Sequence, residues 1–196
     1  MEGLGILILA GGGGERFGGE KALFRIGGKP MIQLVFEEIR KLSEEVVISC
    51  RSSREKLVKM FPEAKIVPDK FDKKGALTGL MSTLPEIESE YVALVTCDSP
   101  KIRSEILKLI FRSAQGHDGA IPKWPNGYIE PLQAVYNTGK LRRAVVEAWR
   151  DGKMRLAEVL GRLSDIVYLS TEELIKADPE LESFLNVNLP EDLTNF

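Results

Sequence analysis

The sequence predicts an α/β protein in which a mostly parallel sheet lies between layers of helices. Short runs rich in Val, Ile and Leu alternate with longer segments that repeat apolar residues at helical spacing. This alternation is typical of parallel strands joined by right-handed helical crossovers. The 196 residues can bury a substantial core, and no linker-like change in composition divides them. We therefore expect one domain over residues 1–196.

Seven strands are expected from the β-branched runs, at 5–9, 45–49, 64–67, 91–96, 118–121, 132–136 and 165–169. Six helices are expected from apolar periodicity, at 30–42, 53–61, 77–85, 103–114, 138–150 and 154–163. A Ser-x-x-Glu pattern at Ser170 predicts the start of a seventh helix, and Pro190 that of a terminal one. The Gly/Pro-rich stretch 116–131 is the one long connection, a type of segment that often carries function.

Composition excludes several classes of function. The formal charge of −2 provides no broad cationic surface, so we expect neither nucleic acid nor a membrane as a partner. Cys50 and Cys97 are too few for a disulfide framework, and neither lies at metal-ligand spacing from the single histidine, His117. The apolar run "LGILIL" is too short for a signal peptide or membrane span. A cytoplasmic protein with reduced thiols is the expectation.

The stretch "LAGGGGERFGGEK", from Leu9 to Lys21, contains six glycines in thirteen residues and follows the first predicted strand. Glycines in a strand–loop–helix unit let backbone N–H groups approach a ligand, and those groups suit a phosphate chain. Arg16 and Lys21 can neutralise a triphosphate that an acidic chain would not otherwise attract. The segment therefore predicts a nucleotide site.

The spacing of these glycines excludes two common phosphate loops. A Walker A loop would end in Gly-Lys-Ser/Thr, whereas Lys21 is followed by Ala22. A dinucleotide fingerprint would need a third glycine where Arg16 or Phe17 stands. The pattern that fits is Gly-Gly-x-x-x-Arg-(Met/Phe)-Gly-x-(Asp/Glu)-Lys, which resembles the signature of the sugar-phosphate and cofactor nucleotidyltransferases.

Asp98 follows the apolar strand "YVALVT", where an open parallel sheet presents residues to a ligand. Mg²⁺ takes one or two carboxylates together with phosphate oxygens, so Asp98 opposite the glycine loop predicts a metal–nucleotide site. A simple turn cap is the alternative. Asp69 ends the strand 64–67 in the same way and could assist the metal or bind ribose. Gly75 and Gly79 in "GALTGL" open a helix where main chain could contact a base or ribose.

Five segments in this order resemble the molybdenum cofactor guanylyltransferases, which transfer GMP from GTP to molybdopterin. They are "LAGGGGERFGGEKALF", "VPDKFDKKGALTGL", "CDSP", "EPLQAVYN" and "FLNVNLPEDL". The resemblance implies a Rossmann-like, three-layer nucleotidyltransferase fold. It also implies GTP and molybdopterin as substrates, Mg²⁺ as cofactor, and molybdoenzymes or their chaperones as partners.

The resemblance also implies roles for individual residues. GTP would contact Leu9, Ala10, Gly11, Gly12, Lys21 and Asp69. Asp98 would coordinate Mg²⁺, and Lys21, Arg16 and Asp98 would be the catalytic residues. Asn186 and Asn188 match an Asn-Val-Asn motif near the pterin, with a helix-capping turn as the alternative. Arg155 is a candidate for the pterin phosphate, with an ordinary surface arginine as the alternative.

Departures from the family pattern leave other functions open. Gly14, Glu15, Phe17 and Glu20 replace the usual Ser, Arg, Met and Asp, and Ala76 stands where Pro is usual. The glycine loop alone fits cytidylyl transfer to the same pterin, or guanylyl transfer to a sugar phosphate or to cobinamide phosphate. A non-catalytic nucleotide-binding module is the alternative from a different class.

Overall fold

The computed structural model describes residues 1–11, 20–73, 75–189 and 192. The strands are β1 Leu4–Leu9, β2 Arg25–Ile26, β3 Lys29–Pro30, β4 Val46–Cys50, β5 Lys65–Pro68, β6 Tyr91–Thr96, β7 Gly119–Lys123, β8 Ala134–Asn137 and β9 Ile166–Ser170. The helices are α1 Met31–Ile39, α2 Arg54–Met60, α3 Ala76–Thr83, α4 Ser104–Ala114, α5 Thr138–Arg150, α6 Leu156–Leu160 and α7 Thr171–Leu174. The predicted helix opened by Pro190 lies outside the described residues.

Seven of these strands form one mostly parallel sheet in the order β5-β4-β1-β6-β8-β7-β9. β8 alone is antiparallel to its neighbours β6 and β7. The reason is local, because residues 124–133 turn the chain back without a crossover helix, and a strand that returns directly must run antiparallel. The predicted mostly parallel α/β architecture is confirmed.

Side chains of β1 alternate between two apolar layers, which explains why the whole strand is buried. Ile6 and Ile8 pack in one cluster with α1 and α4. Leu7 and Leu9 pack in the other cluster with α3 and α5. A sheet covered by helices on both faces is the three-layer arrangement expected from the sequence. None of the described helices is both long and apolar enough to span a membrane.

Several element boundaries differ from the prediction. The first helix covers only Met31–Ile39 and continues as a 3-10 turn, Arg40–Leu42. The helix expected at 154–163 is shorter, at Leu156–Leu160. β7 extends to Lys123 because its pairing with β9 continues to Ser170, so the connection after it is shorter than 116–131. α7 confirms the helix start at Ser170, whose backbone N–H donates to Glu173 Oε2 at 2.8 Å, but it is only one turn long.

The hairpin of β2 and β3 was not predicted from the sequence. Arg25 pairs with Pro30 and Ile26 with Lys29, which leaves a two-residue loop of Gly27 and Gly28. Both glycines have positive φ, at 54° and 85°. Two-residue hairpin loops of this type require positive φ at both positions, and glycine reaches it without strain.

Candidate functional site

The site lies at the carboxyl ends of β1, β4 and β6. At β1 the strand order reverses direction, because the next strands of the sheet along the chain, β4 and then β5, follow β1 on one side and β6 follows it on the other. Ligands of open α/β sheets bind in the crevice at such a reversal of strand order. A cavity of about 250 Å³ is found there, slightly smaller than the roughly 300–1,000 Å³ typical of small-molecule sites.

Seven residues predicted for nucleotide or metal binding line this cavity: Leu9, Gly11, Lys21, Asp69, Gly75, Gly79 and Asp98. Ala10 lies beside them, and its backbone N–H donates to Ser49 O at 3.1 Å. Gly12 and Arg16 lie outside the described residues. The structure thus brings together residues from three separate sequence motifs, while their individual roles stay predictions.

Lys21 and Asp98 meet directly at the mouth of the sheet. Lys21 begins a 3-10 turn, Lys21–Leu23, and Asp98 comes two residues after the end of β6. Lys21 Nζ donates to Asp98 Oδ2 at 2.5 Å, with only 11% and 21% of the two side chains exposed. An ammonium and a carboxylate held together in a cleft can bind, respectively, a phosphate and a cation.

The Asn-Val-Asn segment closes against the same loop. The Val187 N–H donates to Asp98 O at 2.8 Å, and Asn188 Oδ1 accepts from Lys21 Nζ at 3.1 Å. Asn186 Oδ1 accepts from Ser99 Oγ at 2.7 Å. The segment therefore approaches the Lys21–Asp98 pair from the far end of the chain.

A capping turn was the alternative role predicted for Asn186 and Asn188. In the structure the side chain of Asp192 makes the capping contacts of this turn. Its Oδ2 accepts from the backbone N–H groups of Asn188 and Leu189, at 2.7 and 2.8 Å. The side-chain oxygens of Asn186 and Asn188 accept from Ser99 and Lys21. Both asparagines therefore contact the loop that carries Asp98 or the side chain of Lys21, while their role toward the pterin stays a prediction.

Asp69 also lines the cavity, close to Gly11. A Cβ at Gly11 would lie 3.0 Å from Asp69 Oδ2, so glycine lets the carboxylate approach the first loop. Asp69 Oδ1 is buried and has no hydrogen-bond partner among the described residues. Burial raises the pKa of Asp69, and the charge of Arg51 partly opposes that shift. A buried oxygen without a partner calls for an explanation, and a ligand that donates to it is one.

The two glycines of "GALTGL", Gly75 and Gly79, line the cavity beside α3. Gly75 precedes α3 with φ of +127°, a conformation that L side chains rarely adopt. Gly79 lies within α3, where an added Cβ would be 3.1 Å from Leu9 Cδ2 and 3.3 Å from Ser49 Oγ. Glycine therefore permits α3 to pack closely against β1 and β4. Ala76, at the position where the family usually has proline, also lines the cavity.

Four cavity residues were not identified from the sequence: Ser49, Thr96, Cys97 and Leu132. Ser49 matters most among these four residues, because its buried Oγ, like Asp69 Oδ1, has no hydrogen-bond partner in the described part of the chain. A polar residue at the end of the apolar strand "VVIS" was the available signal. Burial, with the charge of Asp98, raises the pKa of Cys97 to about 12, so its thiol stays protonated near neutral pH.

Arg155 lies at the start of α6 and is exposed, outside the set of residues that line the cavity. Its backbone N–H donates to Glu158 Oε2 at 3.2 Å. Nothing in this position brings its guanidinium to the Lys21–Asp98 pair, and its role toward the pterin phosphate stays a prediction.

The donor set fits a divalent cation that is shared with a nucleotide. Among the described residues, no three Asp, Glu, His or Cys side chains form a metal cluster of their own. Asp98 could supply carboxylate oxygens to such a cation, and Asp69, whose Oδ1 has no partner among the described residues, could supply a second carboxylate. Hard cations held chiefly by phosphates need only one or two carboxylates from the protein. The site matches that requirement.

The open α/β sheet, the lysine and aspartate that converge at its carboxyl edge, and the glycine-rich sequence that follows β1 indicate a nucleotide-binding enzyme of the nucleotidyltransferase class. The MobA-like NTP transferase domain matches residues 6–166. The probable molybdenum cofactor guanylyltransferase of Methanosarcina mazei is 35% identical, over 96% of this chain and 88% of the relative. That of Pyrococcus horikoshii is also 35% identical, over 95% of each.

Solved structures agree with this assignment. Molybdopterin-guanine dinucleotide biosynthesis protein A from Archaeoglobus fulgidus superposes with a TM-score of 0.83 at 31% identity, covering 97% of this chain and 95% of its own. The 2-C-methyl-D-erythritol 4-phosphate cytidylyltransferase of Thermus thermophilus, at 16% identity and a TM-score of 0.74, shares the fold. The chain belongs to the MobA-like NTP transferase family, together with the molybdenum cofactor guanylyltransferases.

Proposed function

We propose that this protein transfers GMP from GTP to molybdopterin, releasing pyrophosphate and forming molybdopterin guanine dinucleotide. The observation that carries the proposal is the convergence of Lys21, Asp98 and Asn188 at one edge of the sheet. Its support from relatives is the guanylyltransferase name shared by chains that are 30–35% identical over nearly the full length.

In the proposed reaction, a phosphate oxygen of molybdopterin attacks the α-phosphorus of GTP in line. A new P–O bond forms, the bond from the α-phosphorus to the bridging oxygen breaks, and pyrophosphate leaves. The phosphate nucleophile is already anionic near neutral pH, so no general base is required. The protein contributes positioning and neutralisation of developing negative charge, which dominate phosphoryl-transfer catalysis.

Lys21 would stabilise the negative charge that develops on the polyphosphate, assisted by Arg16 and by main-chain N–H groups of the glycine loop. Asp98 would hold Mg²⁺, which when bound neutralises phosphate charge. Asn186 and Asn188 would orient the acceptor phosphate beside Lys21, to which Asn188 is hydrogen-bonded. Arg155 stays a weaker candidate for the acceptor because it lies outside the cavity lining.

GTP would lie with its phosphates at the glycine loop and its nucleoside between Asp69 and α3. Asp69 Oδ1 and Ser49 Oγ, which have no partner among the described residues, can accept hydrogen bonds. Ribose hydroxyls and the N–H groups of guanine are donors of the required kind. Leu9, Ala10 and Gly11 would contribute main-chain contacts from the end of β1, while Gly75 and Gly79 leave space beside α3.

Thermal unfolding with nucleotides tests the choice of substrate. We expect GTP with Mg²⁺, at about one hundred times its Kd, to raise the midpoint of unfolding by about 5–10 °C. CTP and ATP at the same concentration should raise it much less. Selective stabilisation by CTP would contradict guanylyl transfer and would indicate cytidylyl transfer instead.

The proposal also includes the cellular setting. We infer a cytoplasmic enzyme because GTP is available there. The free, buried thiols of Cys50 and Cys97 suit a reducing compartment. Delivery of the product to molybdoenzymes or their chaperones follows from the same function and stays a prediction.

A further inference from the structure

The segment Asp69–Lys73, called here the nucleotide loop, is tied to the body of the protein at almost every residue. The Asp69 N–H donates to Cys50 O at 2.8 Å, and the Lys70 N–H donates to Ser82 Oγ at 2.9 Å. The next three residues, which are half-buried or exposed, contact two side chains outside the loop. One of these is Arg51, whose guanidinium donates to Asp72 O at 3.0 Å and to Lys73 O at 3.5 Å.

The other is Trp149, near the carboxyl end of α5. The ring of Phe71 lies 4.6 Å from that of Trp149 between centroids, with an interplanar angle of 46°. Lys73 Nζ lies 5.1 Å from the centroid of a Trp149 ring. One indole therefore holds two alternate residues of the loop, through an aromatic contact and a cation–π contact.

We propose that Trp149 is a positioning residue for nucleotide binding, acting through the nucleotide loop. This inference rests on the proposed function. Asp69 begins the loop and lines the cavity, and its buried Oδ1 has no hydrogen-bond partner within the ranges that the structure describes. Trp149 itself does not line the cavity. It sets where the loop lies, and thereby how well Asp69 meets the nucleoside.

The physical argument is one of preorganisation. A loop that is already fixed in its binding conformation loses less conformational entropy when a ligand arrives. Without the indole, Phe71 and Lys73 lose their partner, and between Lys70 and Gly75 the described contacts that remain are those of Arg51 with main-chain carbonyls. Nucleotide affinity should fall. Turnover of bound substrate should not, since Lys21 and Asp98 belong to other elements.

The chain has two tryptophans, which allows a spectroscopic test. Trp124 packs against Phe184 at 5.7 Å and donates to Glu130, so it belongs to a different part of the fold. In a Trp124→Phe background the tryptophan emission comes from Trp149 alone. We expect saturable change of that emission when GTP with Mg²⁺ binds, and unchanged GTP affinity relative to the parent protein.

The decisive comparison uses Trp149→Leu, the conservative Trp149→Phe, and Phe71→Leu on the loop side. We expect Trp149→Leu and Phe71→Leu each to raise the Kd and KM for GTP by about tenfold, with kcat within twofold. Trp149→Phe should restore most of the affinity because an aromatic partner for Phe71 remains. The double variant should bind little worse than either single variant, since both remove the same contact.

Two outcomes would overturn the inference: folded variants that bind GTP within twofold of the wild type, or a loss confined to kcat. If Trp149→Leu fails to fold, Phe71→Leu at the half-buried loop position decides the question. The ratio of variant to wild-type affinity can be measured with GTP, CTP or ATP. Preference of the wild type for CTP would therefore refute the guanylyl assignment without touching the role of Trp149, whereas absence of binding to all three would contradict both.

Discussion

Lys21 is fixed in place before any substrate arrives. Phe24 N–H donates to Lys21 O at 3.1 Å within its 3-10 turn, and the ammonium contacts both Asp98 and Asn188. A donor that is already oriented needs no reorganisation when charge develops in the transition state. Its position between a carboxylate and an asparagine amide supports the proposal that Lys21 acts on a polyphosphate.

Replacing Lys21 with alanine should lower kcat/KM for GTP-dependent transfer by about 10²–10³-fold, the range found when one preorganised charge-stabilising donor is removed. The far-ultraviolet circular dichroism should stay that of the wild type. Lys29→Ala is the matched control, since Lys29 is 51% exposed and pairs with Glu37 on the surface. Near-normal turnover of Lys21→Ala would refute the role given to this ammonium.

Asp69 should lower the stability of the nucleotide-free protein, although it contributes to nucleotide binding in the proposal. Burial raises its pKa above the ordinary 3.8, so the ionised form is disfavoured in the folded state. This loss of folding stability is fully present above the raised pKa of the folded state and disappears as the pH falls below 3.8. Asp69→Asn should therefore raise the unfolding midpoint of the free protein at pH 7, with the gain shrinking as the pH falls through that window.

The same Asp69→Asn change should weaken GTP binding, because a carboxylate accepts donors more strongly than an amide. Thermal scans between pH 3.5 and 7.5 with parallel GTP titrations measure both effects. Asp72→Asn, at an exposed neighbouring position, should change neither. A destabilised Asp69→Asn protein at pH 7 that binds GTP normally would show that the carboxylate is a structural group.

Cavity residues that belong to local sequence motifs were predicted, and those outside such motifs were not. Lys21, Asp98 and Asn188 are spaced over 167 residues, yet each stands in a recognisable local pattern at a strand end or loop. Ser49 and Leu132 line the cavity only because of how β4 and the segment before β8 are placed. That information is absent from their local sequence, which reads as ordinary strand or loop.

The close packing of α3 on β1 and β4 depends on Gly79. We expect Gly79→Ala to weaken GTP binding about tenfold, since the new methyl would press on Leu9 and Ser49 in the cavity wall and shift the helix outward. Isothermal titration of the purified variant measures the effect.

Gly139→Ala separates packing from helix propensity. Gly139 also lies in a helix, α5, and its added Cβ would meet only Asn137 Oδ1 at 3.5 Å. This control should gain up to about 1 kcal/mol of stability from alanine's helix propensity and leave GTP affinity unchanged. Equal affinities for the two glycine variants would contradict the packing argument.

Element ends were harder to predict than element centres because partners elsewhere in the chain determine them. β7 continues to Lys123 through its pairing with β9, and no local signal marks that end. The turn of β2 and β3 was readable in principle from Gly27 and Gly28 between short apolar positions. The antiparallel direction of β8 follows from the lack of a helical pattern in residues 124–133.

The seven-stranded sheet links the first and last motifs into one body. β1 leads into the glycine-rich stretch of the sequence, and the segment after residue 184 returns to contact Asp98 and Lys21. We propose that the chain is one folding domain, and expect a single cooperative calorimetric transition with matching calorimetric and van't Hoff enthalpies. Two resolved transitions, or one probe unfolding before another, would show that the halves on either side of β6 unfold independently.

Molybdopterin-dependent release of pyrophosphate is the most direct test of the proposed chemistry. Purified protein is incubated with Mg²⁺, molybdopterin and either GTP or CTP, and pyrophosphate is measured together with the dinucleotide product. We expect equimolar pyrophosphate and guanine dinucleotide with GTP, little product with CTP, and none without the pterin. Binding of GTP with no pyrophosphate released in the presence of molybdopterin would contradict the transfer reaction.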